Sequence, residues 1–214
     1  MASRLYLVTP PGLTRPEAEG GTALAAFEAA LNAALEAGDI ACVLLLTGGM
    51  AEEALESAIE RLRPLAQERA VAFLLQDQSA TAAATGCDGV HLSGPEAYPT
   101  AREELGADAI VGVGCDASRH DAMLAGEGGA DYVAFGSPEP APRPADPRLL
   151  TWWQELMTLP CVAFGAENPV ACKELAGAGA DFVAVGAAIW AHPQGPAAAV
   201  QACIEAMART EPSR

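Results

Sequence analysis

Positive charge is scarce in this chain. Twelve Lys and Arg stand against 28 Asp and Glu, a formal charge of −16. Binding to a nucleic-acid backbone needs clustered cations, so that partner is not expected. Long apolar runs are also missing: 51% of the residues are hydrophobic, but none gather into the roughly 18 consecutive positions that would span a bilayer. No membrane association is expected. Met1-Ala2-Ser3-Arg4 passes straight into Leu5-Tyr6-Leu7-Val8 without the apolar stretch and cleavage site of a secretory signal, which points to the cytoplasm. No Ser/Gly/Pro-rich linker divides the 214 residues, so one domain over 1–214 is expected. The six cysteines lack any C-x-x-C spacing and most sit in apolar patterns, which predicts reduced, buried thiols.

What the sequence does have is repetition. Runs of β-branched and aliphatic residues at 5–9, 41–46, 71–75, 89–92, 110–114, 132–135, 161–164 and 182–185 read as strands. Segments of helical period follow them at 22–37, 51–66, 79–85, 99–105, 118–126, 149–157, 170–178 and 196–209. A phrase recurs before three strands: Gly86-Cys87-Asp88-Gly89-Val90, Gly129-Ala130-Asp131-Tyr132-Val133 and Gly179-Ala180-Asp181-Phe182-Val183. In it a glycine ends a helix in the left-handed region and an Asp turns the chain into the strand. Eight like-built βα units predict a closed (β/α)8 barrel, with an open doubly wound sheet as the alternative.

Ligands of such barrels bind where strands end. After strands seven and eight come Phe164-Gly165-Ala166-Glu167-Asn168-Pro169 and Val185-Gly186-Ala187-Ala188-Ile189-Trp190. Small residues there let backbone N–H groups approach a phosphate, and a short helix starting near Gly186 would add its positive end; tight βα turns alone would also call for glycine. After strands three and four, Gln76-Asp77-Gln78 and Ser93-Gly94-Pro95-Glu96 place Asp77 and Glu96 at neighbouring strand ends, where they could share a Mg2+ or simply be solvated. Of the histidines, His91 sits in the apolar pattern of strand four and reads as structural, His120 falls on a helix and His192 in a loop. Trp152-Trp153 reads as helix-on-barrel packing.

The stretches Leu5-Tyr6-Leu7-Val8-Thr9, Gly86 to Leu92, Ala109 to Val113, Gly129 to Gly136, Leu159 to Ala163 and Gly179 to Val185 resemble, in order, the thiamine phosphate synthase and TenI family. That resemblance implies a (β/α)8 barrel and an enzyme joining hydroxymethylpyrimidine diphosphate to a thiazole phosphate, with Mg2+ aiding diphosphate release. Charge growing on the departing diphosphate must be neutralised by cations. At the positions where the family carries Gln-x-Arg-x-Lys on strand two, this chain has Leu44, Leu46 and Gly48. Gln76-Asp77 replaces Asn-Asp, Glu96 replaces Asp, Gly114 stands for Ser or Thr, and Pro140-Ala141-Pro142-Arg143-Pro144 replaces Pro-Thr-x-Thr-Lys, with Arg143 one place from the family lysine. Gly165-Ala166 replaces Gly-Gly and Gly186 replaces Ser. The resemblance therefore implies a phosphate site at Gln76, Arg143, Gly165, Ala166, Val185 and Gly186, and a metal site at Asp77 and Glu96. Three readings follow: a divergent synthase, a non-catalytic binder of thiazole phosphate or thiamine phosphate, and a thiazole isomerase with His91 as proton shuttle. A homodimer is the expected assembly.

Overall fold

A computed structural model describes residues 2–13, 24–138 and 142–208. Eight parallel strands close into a barrel in chain order, β8 pairing back onto β1. They are β1 (Arg4–Val8), β2 (Ile40–Leu45), β3 (Ala72–Gln76), β4 (Gly89–Leu92), β5 (Ile110–Asp116), β6 (Tyr132–Phe135), β7 (Cys161–Ala163) and β8 (Phe182–Val185). Around them lie α1 (Leu24–Glu36), α2 (Glu52–Gln67), α3 (Ser79–Thr85), α4 (Tyr98–Leu105), α5 (Arg119–Gly128), α6 (Pro147–Leu156), α7 (Pro169–Gly177), α8 (Ala187–Trp190) and α9 (Pro196–Ala208). The fold expected from the repeat is the fold found. The predicted start of the first helix, 22–23, and the last residue of the final one, 209, lie outside the described residues.

Alternation along each strand divides the core in two. Tyr6, Val8, Leu44, Leu74, Tyr132 and Phe164 fill the barrel interior, while Leu5, Leu7, Val43, Leu45, Phe73 and Val133 pack outward under the helices. Trp153 does the packing its sequence suggested, edge-on to Phe135 with its indole N–H on the Leu159 carbonyl at 2.8 Å. Trp152 packs partly buried against the same core and is covered by the Arg119 guanidinium, 4.5 Å from the ring centroid.

Helices six and seven begin earlier than expected, at Pro147 and Pro169. Each proline occupies the first turn, where its missing N–H costs nothing, and the preceding Asp146 or Asn168 side chain accepts a first-turn amide.

The repeated phrase has a structural job more specific than a turn. Asp88, Asp131 and Asp181 each accept an amide from the first or second residue of the preceding strand, Phe73, Val111 and Cys161, at 2.8, 2.8 and 2.9 Å. Their own amides donate back to the carbonyls of the same three residues at 3.0 to 3.1 Å. Strand pairs are thus stapled at the N-terminal end of the barrel, leaving the other end free for a ligand. Gly112 serves the interior differently: a Cβ there would lie 1.8 Å from the Tyr132 ring, so the tyrosine lies flat over bare backbone.

Candidate functional site

At the C-terminal ends of the strands the small residues after β7 and β8 and the start of the β1 loop leave a cleft of about 620 Å³. Phe164, Leu46 and Ala184 line its barrel side; Pro10, Pro11 and Phe27 line the opposite side. Trp190 forms one wall, its indole N–H donating to the Val8 carbonyl at 2.6 Å and its ring standing edge-on to Phe27. Thr9, buried beside it, turns its hydroxyl oxygen to the Leu46 amide at 3.0 Å and so ties β1 to β2. Glu167 is the one ionisable side chain among the described lining residues. The cleft is a largely apolar slot.

The phosphate-loop candidates divide. Gly165, Ala166 and Gly186 line this cleft, together with Ala187 and Ala188, whose amides open α8 and have no acceptor within a helix. Gly165 is required by packing: its φ is +93°, and a Cβ would meet the Pro144 backbone at 2.4 Å. Gly186 is not; a Cβ would find only ordinary contacts with Val8 at 3.4 and 3.6 Å. Val185 points outward into the helix-facing core and offers the cleft no side chain. Gln76 ends β3, half-buried, with its carbonyl accepting from Thr47 at 2.8 Å, and does not line the cleft.

Arg143 turns away as well. Its guanidinium pairs with Asp116 at 2.9 Å, its Nε lies 3.4 Å from the Ser137 hydroxyl, and paired backbone hydrogen bonds with Ser137 hold it there. A cation already matched to a carboxylate brings little net charge to a phosphate. Pro140 and Ala141 lie outside the described residues.

Asp77, at φ +52°, uses both carboxylate oxygens on Ser93, accepting from its amide at 2.7 Å and its hydroxyl at 2.5 Å. Glu96 lines a separate recess with Asp116, Asp121 and Ser118. Among the described residues no three His, Cys, Asp or Glu side chains converge to hold a metal ion. Asp77 and Glu96 offer carboxylate oxygens, and a Mg2+ held by one or two carboxylates takes its remaining oxygens from waters and substrate phosphates.

His91 is inside the barrel below the cleft, 1% exposed, stacked on Tyr132 with Nδ1 3.1 Å from the Tyr132 hydroxyl, which in turn meets Tyr6 at 3.0 Å. Burial pushes its pKa down to about 4, against a smaller opposing pull from Asp77, so the ring is neutral. Its ring centroid lies 5.2 Å from that of Phe164, which lines the cleft. Phe27 and the Pro10-Pro11 pair escaped the sequence reading, because they come from a helix and a loop remote in sequence from the glycine signals, whereas Trp190 ends the segment quoted after strand eight. Two prolines directly after a strand were the available clue.

Leu44 and Leu46, on β2 and at its end, are 0% and 3% exposed among Tyr6, Val8, Leu74 and Phe164. Gly48, by contrast, has open space around it.

A parallel (β/α)8 barrel with a ligand-sized cleft at its C-terminal mouth, bounded by the small residues after β7 and β8, defines the class of (β/α)8-barrel proteins. Within that class the chain belongs to the TMP-TENI family, described as thiamine monophosphate synthase, whose model matches residues 5–189. It is 52% identical over 203 residues to a thiamine-phosphate synthase of Rhodospirillum centenum, covering 92% of this chain and 94% of that one. It is 42% identical to the thiamine-phosphate synthase of Hyphomonas neptunium, covering 94% and 91%. Among solved structures it resembles a thiamine phosphate pyrophosphorylase of Pyrococcus furiosus, with TM-score 0.79, 25% identity and 97% and 96% coverage. Among the described residues no helix is long and apolar enough to cross a membrane.

Proposed function

We propose that this family member binds a thiazole phosphate or thiamine phosphate in the mouth cleft and has lost most or all of the synthase turnover. The observation that carries the proposal is the β2 wall: Leu44 and Leu46 stand buried where the family's diphosphate-directed polar and cationic side chains would be. Each preorganised donor removed from a developing charge typically costs about 10² to 10³ in rate, and several are replaced here. The monophosphate end depends less on side chains, because backbone amides at Gly186, Ala187 and Ala188 supply its donors. The names of the relatives support the same ligands. The neutral, buried His91 speaks against a side-chain proton shuttle and therefore against the isomerase reading. In this reading Mg2+, with Asp77 and Glu96 as its protein ligands, matters only for a diphosphate, whose oxygens would complete the shell.

The test is to incubate the protein with hydroxymethylpyrimidine diphosphate, thiazole phosphate and Mg2+ beside an intact family synthase, and to detect thiamine phosphate as fluorescent thiochrome. No product above the blank is expected, while calorimetry records thiazole phosphate binding that survives both chelator and Asp77→Ala. Product that disappears in Asp77→Ala would overturn the loss of turnover; no binding of either phosphate would overturn the ligand. Gly48→Lys, which enters open space, restores one cation without strain and raises any residual rate.

A further inference from the structure

The stapled end of the barrel is not filled solid. Between the N-terminal ends of the strands the interior opens into a well of about 240 Å³ that shares no lining residue with the mouth cleft. Tyr6, Leu74, Tyr132 and Val162, none more than 6% exposed, form its floor. The two tyrosine rings meet there edge to face, with centroids 6.2 Å apart. Phe73 packs outward under the helices, so its neighbour Ala72 faces inward beneath Leu74, and a methyl group leaves the lowest layer open. Half-buried Ile110 and Phe182 complete the apolar rim.

We infer that this well is a second binding site, taking a neutral aromatic compound of one or two rings. Size sets the upper limit. An apolar cavity of about 150 Å³ accommodates benzene, so about 240 Å³ has room for a bicyclic ring such as indole. Charge sets the class. Arg4 at the rim spends Nε and a terminal nitrogen on Asp39, at 2.9 and 2.6 Å, and also donates to the Ile40 carbonyl at 3.0 Å. Asp131 is matched to Arg102 at 2.6 Å. Both tyrosine hydroxyls are engaged as well, Tyr6 with Tyr132 and Tyr132 with His91. A charged ligand would give up its hydration and find no free counter-charge in return. A neutral ring loses little water and adds edge or face contacts with Tyr6, Tyr132 and Phe182. One ring pair stands between this well and the cleft: Tyr6 is edge-on to Phe164, with centroids 6.0 Å apart, and Phe164 lines the cleft. Nothing in the assignment depends on which ligand the cleft holds.

The test is to titrate indole into the methyl-labelled protein and follow its NMR spectrum. Methyl signals of Leu74, Ile110 and Val162, which line the well, are expected to shift together and saturate with a dissociation constant of about 1 mM or tighter. Indole-3-acetate and tryptamine carry the same ring with a negative or a positive charge, and each is expected to bind at least about tenfold more weakly. Ala72→Phe fills the well from β3 and is expected to abolish the indole shifts at Ile110 and Val162. Shifts confined to Leu46, Ala187 and Ala188 of the mouth cleft, or no shift at all, would overturn the site. Equal binding of the three compounds would overturn the ligand class. Should Ala72→Phe fail to fold, the shift map and the charged analogues decide on the parent protein.

Discussion

His91 shows how one buried group sets a pH response. Desolvation first, opposed weakly by Asp77, holds its folded pKa at about 4, below the ordinary value near 6.5. The unfolded chain therefore binds the proton more readily, and the stability present above pH ~6.5 is lost as pH falls toward about 4. By pH 5 the loss amounts to roughly 2 kcal/mol. Melting curves from pH 7.5 to 5 are expected to show His91→Gln less acid-sensitive than the parent; an unchanged slope would mean that the ring is already protonated in the fold. Arg143 makes the opposite point about a charged residue: what it contributes to a site depends on its partner, and here the partner is Asp116.

At the scale of elements, the three aspartate staples explain how short strands hold their register. Strands β4, β6 and β8 have four residues each and β7 three, so few ladder bonds fix them. A side chain that accepts an amide at the start of the neighbouring strand adds a bond where slippage would begin. Asp131→Ala removes the Val111 bond and the Arg102 ion pair together. A loss of about 1–3 kcal/mol is expected from urea unfolding, with hydrogen exchange at the Val111 amide rising ahead of amides on the far side of the barrel. If exchange rose uniformly, the staple would be no more than one contact among many. Helix α8, four residues long, owes its place to tertiary support from Trp190, whose indole is tied to Val8 and whose ring meets Phe27.

For the whole molecule the acidic surplus dominates. The described residues form six ion pairs, and with 28 acids against 12 Lys and Arg the chain has 16 more carboxylates than cations. Net self-repulsion weakens a compact state and is screened by salt. Melting temperature is therefore expected to rise when ionic strength goes from about 0.01 M to about 0.15 M, as the Debye length falls from ~30 Å to ~8 Å. A fall would show that the surface ion pairs outweigh the repulsion.

Periodicity and the repeated Gly-x-Asp phrase determined the barrel, because strand and helix periods and left-handed glycines are local properties that survive without knowledge of partners. The strand ends and the apolar replacements at Leu44 and Leu46 were legible for the same reason. Only the tertiary structure decided which strand-end residues share a site. It sent Val185 outward by strand alternation, matched Arg143 to Asp116, engaged Asp77 with Ser93 and placed Glu96 in another recess. It also brought Trp190, Phe27 and the Pro10-Pro11 pair to the cleft from opposite ends of the chain. Those outcomes depend on side-chain direction and on contacts closed by the barrel, where β8 meets β1, and no window of sequence contains both partners.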